Sequence, residues 1–336
     1  MSAILTTPVT GAAAWDGREL ARGDATWVYR FSGVALAEID AALSTVKRAG
    51  LPPSAITREQ FPLQNLARDL AAIARELEHG RGFVQMKGLA LAGFDQADIE
   101  KIFWGLSAHL GRAISQNAKG ELLGHVRDEG LNMASPNVRL YQTNARQRFH
   151  TDIGADVVGL MCLQPAKSGG VSKLASSMTV YNELLRRHPH HVGVLYDSFA
   201  YDWRGEQPPG ESPVYHEPIY CYCDERLSCR FSPTLIESAQ VKSGVALTPI
   251  RREAIRLMEE IAEEVCLDIE FAPGDIQYLS NYTTLHDRTA FVDHAEPERR
   301  RHLLRVWLTL PNGRRLPAEW ANGRARAGVP AKALMA

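Results

Sequence analysis

Beyond about residue 138, the sequence consists mainly of short strand-like segments separated by long polar or glycine- and proline-containing connections. The segments are VRLYQTN, VVGLMCLQP, VSKLASSM, YCYCDERLSCRFS, DIQYLSNYTTLHD and RHLLRVWLTLP. Helical patterns interrupt them only twice, at 179–190 and 248–266, so the regular strand–helix alternation of a doubly wound α/β fold is absent. No glycine-rich phosphate-binding motif is present either. The pattern predicts a mostly β fold with flanking helices and a double-stranded β-helix (jelly roll) core.

The chain of 336 residues is long enough to bury a substantial core. Residues 1–79 contain two amphipathic helix patterns, at 31–49 and 63–78, and we predict that this part of the chain packs on the core as a helical and irregular segment. Residues 80–315 are predicted to form the jelly-roll domain and 316–336 a C-terminal tail, all within one structural domain. The proline-rich stretch 204–218 is either a mobile lid or an inert insertion.

The charge balance limits the class of binding partner that the sequence predicts, and the cysteine content indicates the cellular compartment. The 38 Lys and Arg residues nearly balance the 39 Asp and Glu residues, which leaves no electrostatic reason to bind nucleic acid or an acidic membrane. Neither an N-terminal signal pattern nor a run of eighteen apolar residues occurs. Five unevenly spread cysteines are typical of a reducing compartment. We therefore predict a cytoplasmic protein that acts on a small molecule, and the sequence leaves open whether it forms a homo-oligomer.

A histidine and an aspartate stand close together in the segment RFHTDIGADVVGLMCLQP. His150 and Asp152 are two residues apart at the start of a strand-like apolar run. In an extended strand, residues i and i+2 point to the same face about 6.5 Å apart, so an imidazole and a carboxylate can converge there on one metal ion. The H-x-D pattern alone also fits an ordinary surface hydrogen bond. The assignment of a metal site therefore needs a third ligand.

Three histidines near the C-terminus are candidates for the third ligand. His294 lies in a charged loop, where solvation is expected, and His302 stands beside arginines at the start of a strand. His286 is the better candidate, because a Pro-Gly-Asp turn and a strand-like run lead directly to it. Two imidazoles and one carboxylate on one side of an ion leave the opposite positions open, as in the facial triad of Fe(II) oxygenases. The residue types also allow zinc.

Four motifs together carry a resemblance to a known family. FHTD, SGGVS, NYTTLHDRTAF and RRHLLRVWL occur in the order and at the separations of the TauD/TfdA family, within the clavaminate synthase-like superfamily. The similarity extends over about residues 80–312. It implies an Fe(II)- and 2-oxoglutarate-dependent dioxygenase that uses Fe(II) as cofactor and 2-oxoglutarate and O2 as co-substrates. It also implies that His150, Asp152 and His286 bind the iron.

The resemblance further implies which residues bind 2-oxoglutarate. The family has an arginine eleven to fifteen residues after the distal histidine, and Arg301 lies fifteen residues after His286. Its planar guanidinium can pair with both oxygens of the C5 carboxylate. Arg305 points to the same face of the strand and either shares that role or binds an anionic group of the substrate. Ser172 stands where the family has a threonine after paired glycines, and it keeps the hydroxyl.

The expected reaction is oxidation, most simply hydroxylation, of an unactivated C–H bond in a small anionic metabolite, with release of succinate and CO2. The intact Asp152 argues against halogenation, because related halogenases have a small residue at this position. Trp203, Phe231 and Trp307 are predicted to belong to the core. Residues predicted to contact the substrate, with ordinary loop hydrogen bonding as the alternative for the loop residues, are Gln116, Asn117, Tyr141, Thr143, Asn144 and Arg305.

Two other functions are compatible with the residues. A zinc-type metallohydrolase on a β scaffold would need a catalytic base but no arginine for a dicarboxylate. A non-catalytic protein that binds 2-oxoglutarate or another metabolite would bind without turnover. Formation of succinate from 2-oxoglutarate separates the oxygenase from both. A structural zinc site is not expected, because Cys221, Cys223 and Cys229 lack the usual ligand spacing.

Overall fold

The computed structural model describes residues 3–131, 138–152, 154–207, 210–316, 320 and 328–329. Most of the predicted tail 316–336, and residues 208–209 of the stretch 204–218, therefore lie outside the described residues. The α-helices are α1 (Gly17–Leu20), α2 (Gly33–Arg48), α3 (Asn65–His79), α4 (Gln96–Ala108), α5 (Ser177–Arg187), α6 (Pro233–Ser243) and α7 (Pro249–Val265). The strands are β1 (Val28–Arg30), β2 (Phe83–Lys87), β3 (Arg112–Ile114), β4 (Leu123–Val126), β5 (Gln147–His150), β6 (Val157–Gln164), β7 (Ser168–Gly169), β8 (Ser172–Ser176), β9 (Ser198–Asp202), β10 (Val214–Pro218), β11 (Tyr220–Cys223), β12 (Arg226–Cys229), β13 (Leu267–Ile269), β14 (Ile276–Ser280), β15 (Thr284–Arg288), β16 (Phe291–Val292) and β17 (His302–Thr309).

Two sheets form the centre of the molecule. The larger sheet has the strand order β1-β2-β14-β6-β17-β3, and β4 also pairs with β17. The smaller sheet has the order β13-β8-β15-β5. Strands that follow one another along the chain often belong to opposite sheets, as β5 and β6 or β14 and β15 do, which is the winding of a double-stranded β-helix. The predicted mostly β fold with a jelly-roll core and flanking helices is confirmed.

Helices α2, α3 and α4 cover one face of the larger sheet. Their buried side chains recur at intervals of three and four residues, as Ile39 and Leu43 do in α2 and Leu66 and Leu70 in α3. They share one hydrophobic cluster with Leu304 and other side chains of the sheet. Side chains from before residue 80 and from the jelly roll therefore form a common core.

Strand β17 presents alternate residues to two different environments. Leu304, Val306 and Leu308 belong to the cluster under the helices. Arg305 and Trp307 point the other way, into the space between the two sheets. The two-residue period of an extended strand thus brings a charged side chain and an indole to the inside of the jelly roll.

Helices α5, α6 and α7 lie on the side of the smaller sheet. Buried residues of all three pack with Phe149 of β5 and Leu285 of β15. Helix α6 starts with Pro233 and ends before Gly244, whose φ of 70° is the left-handed conformation that glycine adopts readily. Part of the stretch 204–218 is regular structure, because β10 pairs with β9. No helix in the described part of the chain is both long and apolar enough to cross a membrane.

Candidate metal centre and adjoining cavities

The three predicted metal ligands meet at one edge of the smaller sheet. His150 is the last residue of β5, and it lies directly opposite His286 of β15 in the antiparallel pairing. The two ring centroids are 4.1 Å apart. One ligand atom from each histidine and one from Asp152 all lie within 4.8 Å of one another. Among the described residues, no other group of three such side chains could hold an ion, and His302 pairs with His125 instead, at 2.9 Å.

Hydrogen bonds orient the imidazole of His150 for metal binding, whereas His286 has a buried ring nitrogen without a partner among the described residues. Nδ1 of His150 lies 2.8 Å from the carbonyl oxygen of Arg148, which can only accept, so Nδ1 carries the proton and Nε2 has the free lone pair. This Nε2 accepts a hydrogen bond from the amide of Gln147 at 2.8 Å and lies 3.7 Å from Oδ1 of Asp152. Nδ1 of His286 is buried and has no hydrogen-bond partner in the described structure. Buried polar nitrogens rarely stay unpaired, so this donor set fits a metal ion.

The protonation states also suit a metal. Burial, reinforced by the neighbouring His150, lowers the pKa of His286 to about 3, so its imidazole is neutral at physiological pH. Burial alone would raise the pKa of Asp152, but Arg305 and the two histidines outweigh this effect and hold the pKa below its usual range. A neutral imidazole and an ionised carboxylate are the forms that bind metal ions.

Hydrogen bonds and a neighbouring cation fix the position of Asp152. Nε1 of Trp307 donates a hydrogen bond to Oδ2 of Asp152 at 2.7 Å, and Nη1 of Arg305 lies 3.5 Å from the same oxygen. The side chain of Asn281 accepts a hydrogen bond from the Asp152 backbone N–H at 2.8 Å and donates to the Asp152 carbonyl. The Oδ1 atom of Asp152 is therefore the carboxylate oxygen that remains available beside His150.

A first small cavity adjoins the triad and contains Arg301; we refer to it as the Arg301 cavity. Nη1 of Arg301 is buried and has no hydrogen-bond partner among the described residues, while the ring of Phe291 lies 5.2 Å from the guanidinium. Burial lowers the pKa of Arg301 to about 10, which still leaves it charged at neutral pH. The cavity is lined by Val126, Tyr141, Gln147, His150, Val158, Leu160, Ser172, Phe271, His286, Asp287, Arg288, Arg301, Leu303 and Arg305.

The local structure explains why the SGGVS motif has glycine at position 170. Gly170 has a φ of 71°, which disfavours residues with a side chain. A Cβ atom at this position would lie 3.1 Å from Nε of Arg301. Glycine therefore lets the loop before Ser172 pack closely against the guanidinium.

A second small cavity contacts His150 and Asp152 and contains Arg305; we refer to it as the Arg305 cavity. The Arg305 guanidinium lies between two aromatic rings, 4.5 Å from the ring centroid of Tyr141 and 5.1 Å from that of Trp307. The cavity is lined by Arg139, Leu140, Tyr141, Gln147, His150, Thr151, Asp152, Asp202, Trp203, Arg204, Tyr215, Ser232, Leu235, Arg305 and Trp307. Trp307 is thus a buried core residue, as predicted, and also a wall of the site.

Two of the residues predicted to contact the substrate lie near Arg305. Tyr141 lines both cavities. Gln116 lies behind Arg305, because its Oε1 accepts a hydrogen bond from Nε of Arg305 at 2.7 Å and its amide donates to the Arg305 carbonyl at 2.8 Å. Gln116 therefore supports Arg305 and does not itself line either cavity.

The other three predicted substrate residues lie outside both cavities. The amide of Asn117 donates to Glu121 within its own turn. The hydroxyl of Thr143 donates to the carbonyl of Leu140 at 3.0 Å. Asn144 is exposed. Their positions therefore do not support direct contact with a substrate in either cavity, and local hydrogen bonding, the alternative that the sequence left open, accounts for the first two.

Arg288 is a site residue that the sequence reasoning missed. Its guanidinium donates to the Thr143 carbonyl at 2.9 Å and also to the carbonyl of Ala145, so it fixes the segment that carries Tyr141. The sequence could have identified Arg288, because it is two residues after His286 in β15 and therefore points to the same face of the strand.

The stretch 204–218 contributes to the wall of the Arg305 cavity. Arg204 at its start and the preceding Trp203 line this cavity. Glu206 forms a buried ion pair with Arg139 on the opposite side. The described part of the stretch is thus attached to the site, which does not fit an inert insertion.

Comparison with known proteins places the chain in a family. Residues 47–307 match the family model described as "Taurine catabolism dioxygenase TauD, TfdA family". "FR-33289 synthase" of Streptomyces rubellomurinus is 34% identical over 330 residues, which cover 96% of this chain and 97% of that protein. "Taurine hydroxylase-like protein SAT17" of Stachybotrys chartarum is 31% identical over 305 residues, or 87% of this chain and 77% of the relative.

Solved structures of low sequence identity share the fold. Asparagine oxygenase in complex with Fe(II), 2S,3S-3-hydroxyasparagine and succinate has a TM-score of 0.68 at 16% identity, covering 84% of this chain and 93% of that one. The non-heme iron oxygenase OrfP in complex with Fe and alpha-ketoglutaric acid has a TM-score of 0.61 at 14% identity, covering 91% and 100%. The family match decides among the three functions that the sequence left open: the chain belongs to the TauD/TfdA family and is an Fe(II)- and 2-oxoglutarate-dependent dioxygenase.

Proposed function

We propose that this dioxygenase hydroxylates an aliphatic C–H bond of a small anionic metabolite bound in the Arg305 cavity. In this proposal His150, Asp152 and His286 hold the iron, and 2-oxoglutarate lies in the Arg301 cavity. The observation that carries the proposal is that two small cavities adjoin the triad and that each contains a buried arginine.

The Arg301 cavity fits the far end of 2-oxoglutarate. Its buried cation has a nitrogen without a partner, and a carboxylate that accepts two parallel hydrogen bonds from the guanidinium would satisfy it. Ser172 lines the same cavity, and its hydroxyl, which donates to Oε1 of Gln277 at 3.3 Å, would have to turn from this long bond to donate to the carboxylate. With 2-oxoglutarate and O2, the bound iron supplies the oxidising chemistry, and succinate and CO2 are released.

The apolar walls of the Arg301 cavity keep water away from the reacting groups. Val158, Leu160 and Leu303 come from β6 and β17 of the larger sheet, opposite the histidines of the smaller sheet. Water excluded by such walls cannot screen the pairing between Arg301 and a carboxylate, so the electrostatic interaction is stronger than at the surface.

The Arg305 cavity is suited to an anionic group of the substrate. Nε of Arg305 is occupied by Gln116 and Nη1 lies near Asp152, whereas Nη2 has no hydrogen-bond partner in the described structure. The rings of Tyr141 and Trp307 hold the guanidinium plane in a fixed orientation. An anion that reaches Nη2 would lie beside the triad, which would place the rest of a small molecule within reach of the metal.

The proposal can be tested by anaerobic titration. Fe(II) and 2-oxoglutarate should produce the weak visible charge-transfer band of their complex, and a true substrate should shift this band and then support succinate formation in air. The panel should contain taurine, asparagine and arginine, because the names of the family, a relative and the fold neighbours point to these compounds. If His150→Ala retained the band at full strength, the ligand assignment would be wrong. Turnover only of compounds that lack a sulfonate, carboxylate or other anionic group would contradict the proposed role of Arg305.

We also propose that the protein acts in the cytoplasm, as the sequence predicted. The five cysteines are all free, and three of them, Cys162, Cys221 and Cys229, are buried. Free thiols suit a reducing compartment. Fractionation of cells that produce the full chain would test the compartment, and recovery outside the cytoplasm would contradict the proposal.

A further inference from the structure

We propose that Trp307 is a positioning residue of the iron site: its indole N–H fixes the Asp152 carboxylate so that only one oxygen can bind the metal. The inference rests on the proposed function in one respect, because it takes Asp152 to be an iron ligand.

The geometry separates the two oxygens of the carboxylate. Oδ2 of Asp152 accepts a hydrogen bond from Nε1 of Trp307 at 2.7 Å. Oδ1 lies on the side of the histidines, 3.7 Å from Nε2 of His150. An indole can only donate, so Trp307 holds Oδ2 as an acceptor on its own side and leaves Oδ1 on the side of His150.

A single bound oxygen matters for the coordination of iron. An iron ion held by two imidazoles and one carboxylate oxygen would keep positions open for 2-oxoglutarate and O2. If both oxygens of Asp152 were bound, one of these positions would be lost. The hydrogen bond from Trp307 therefore keeps a position free for a reactant.

Trp307 is better suited to this task than the other groups that hold Asp152. Nη1 of Arg305 is 3.5 Å from Oδ2, longer than a good charge-assisted hydrogen bond. Asn281 holds the backbone of Asp152 and leaves the carboxylate free to rotate. The Trp307 ring is 3% exposed and packs in a cluster that includes Phe83, so the direction of its N–H is fixed.

The decisive variant is Trp307→Phe, which keeps an aromatic ring and removes the N–H. We expect it to bind Co(II) or anaerobic Fe(II) about 10-fold to 100-fold more weakly, as is typical when a partner of a metal ligand is lost. We also expect an altered Co(II) absorption spectrum, which a merely structural role would not produce. The matched control is Trp104→Phe, because the buried Trp104 donates its N–H to the Ile56 carbonyl at 2.9 Å and lines neither cavity. This control should lower thermal stability and leave metal affinity unchanged.

A double-mutant comparison separates this inference from the ligand assignment. In an Asp152→Ala background, Trp307→Phe should cause no further loss of metal affinity, because its target is gone. Unchanged metal affinity in Asp152→Ala alone would refute Asp152 as a ligand. Weak binding by Asp152→Ala together with wild-type affinity and spectrum in Trp307→Phe would overturn only the role of Trp307.

A measurement on the wild-type chain covers the case in which Trp307→Phe does not fold. The chain has six tryptophans, so ¹⁵N-tryptophan labelling gives at most six indole N–H signals. Zn(II) should shift the signal of Trp307, which can be distinguished from that of Trp203 with a Trp203→Phe variant. If Zn(II) shifts no indole signal other than that of Trp203, the inference is overturned.

Discussion

Arg301 and Arg305 are four residues apart in sequence, and each is only 5% exposed, yet their surroundings differ. Arg305 has hydrogen-bond partners within the protein, lies between the rings of Tyr141 and Trp307, and is near Asp152. Arg301 makes no side-chain hydrogen bond to the described residues, and its Nη1 is buried. The two arginines are equally buried, but the protein provides hydrogen-bond partners for the guanidinium of Arg305 and none for that of Arg301 among the described residues.

The difference indicates two kinds of anion site. A buried charge without a partner costs several kcal/mol, so the Arg301 cavity gains strongly from any carboxylate that enters it. Around Arg305, much of that cost is already offset by Gln116 and Asp152. We therefore expect the Arg301 cavity to contribute mainly affinity, and the Arg305 cavity to contribute mainly position and selectivity.

The largest effect should come from Arg301→Gln. Removing one partner of a buried charge pair costs about 2–5 kcal/mol, so the affinity for 2-oxoglutarate should fall about 30-fold to several thousand-fold. Metal binding should persist, because Arg301 is not a ligand. The titration of the charge-transfer band with 2-oxoglutarate measures this. Arg305→Gln is the matched control, and a change of more than about threefold in its 2-oxoglutarate affinity would break the distinction between the two arginines.

A smaller effect, on a different ligand, is expected for Arg305→Gln. The dissociation constant of the substrate found in the panel should rise about 10-fold to 100-fold, because Nη2 of Arg305 no longer meets the anion. The shift of the charge-transfer band upon addition of substrate measures this constant without turnover. Unchanged substrate affinity would show that the anion binds elsewhere, and Arg204 of the same cavity would then be the next residue to replace.

The sequence could predict that His150 and Asp152 share one face because the local rules are strong, whereas His286 was predicted from the turn before it and from the family resemblance. His150 and Asp152 share one face through the two-residue period of an extended chain, and the predicted turn before His286 sets the direction of its strand. The helices predicted at 31–49, 63–78 and 248–266 are confirmed as α2, α3 and α7. For the helices and for the pair His150 and Asp152, residues close in sequence determine the outcome.

Features that depend on contacts between distant segments were not predictable. The hydrogen bond from Trp307 to Asp152 joins residues 155 positions apart, and that from Arg305 to Gln116 joins residues 189 positions apart. Helix α6 was also missed, because its sequence lacks a continuous apolar stripe and Val241 is 85% exposed. Asn117 was predicted to contact the substrate because loops on a β scaffold shape such sites, but its side chain bonds within its own turn.

The support of Arg305 can be tested separately with Gln116→Leu. The variant removes the acceptor at 2.7 Å from Nε of Arg305 while keeping a side chain of similar size. A hydrogen bond to a charged group is worth about 1.5–3 kcal/mol, and because Gln116 acts on the substrate only through Arg305, we expect the lower end of that range, a loss of substrate affinity of about tenfold. The affinity for 2-oxoglutarate should not change. An equal loss for both ligands would mean that Gln116 supports the fold and not one arginine.

The smallest effects should come from replacing two glycines, one beside Arg301 and one beside the residue that holds Arg305. A Cβ atom at Gly170 would lie 3.1 Å from Nε of Arg301, and one at Gly124 would lie 3.0 Å from Oε1 of Gln116, which holds Arg305. Gly170→Ala also places alanine at a φ of 71°, which costs about 1 kcal/mol. We expect Gly170→Ala to weaken 2-oxoglutarate binding a few-fold without affecting the substrate, and Gly124→Ala to do the reverse. Titration of both variants with both ligands tests this, because Gly170 lies against Arg301 itself and Gly124 lies against Gln116, which holds Arg305. If each variant weakened both ligands equally, the two cavities would respond as one unit, and the separate roles inferred from the surroundings of Arg301 and Arg305 would have to be abandoned.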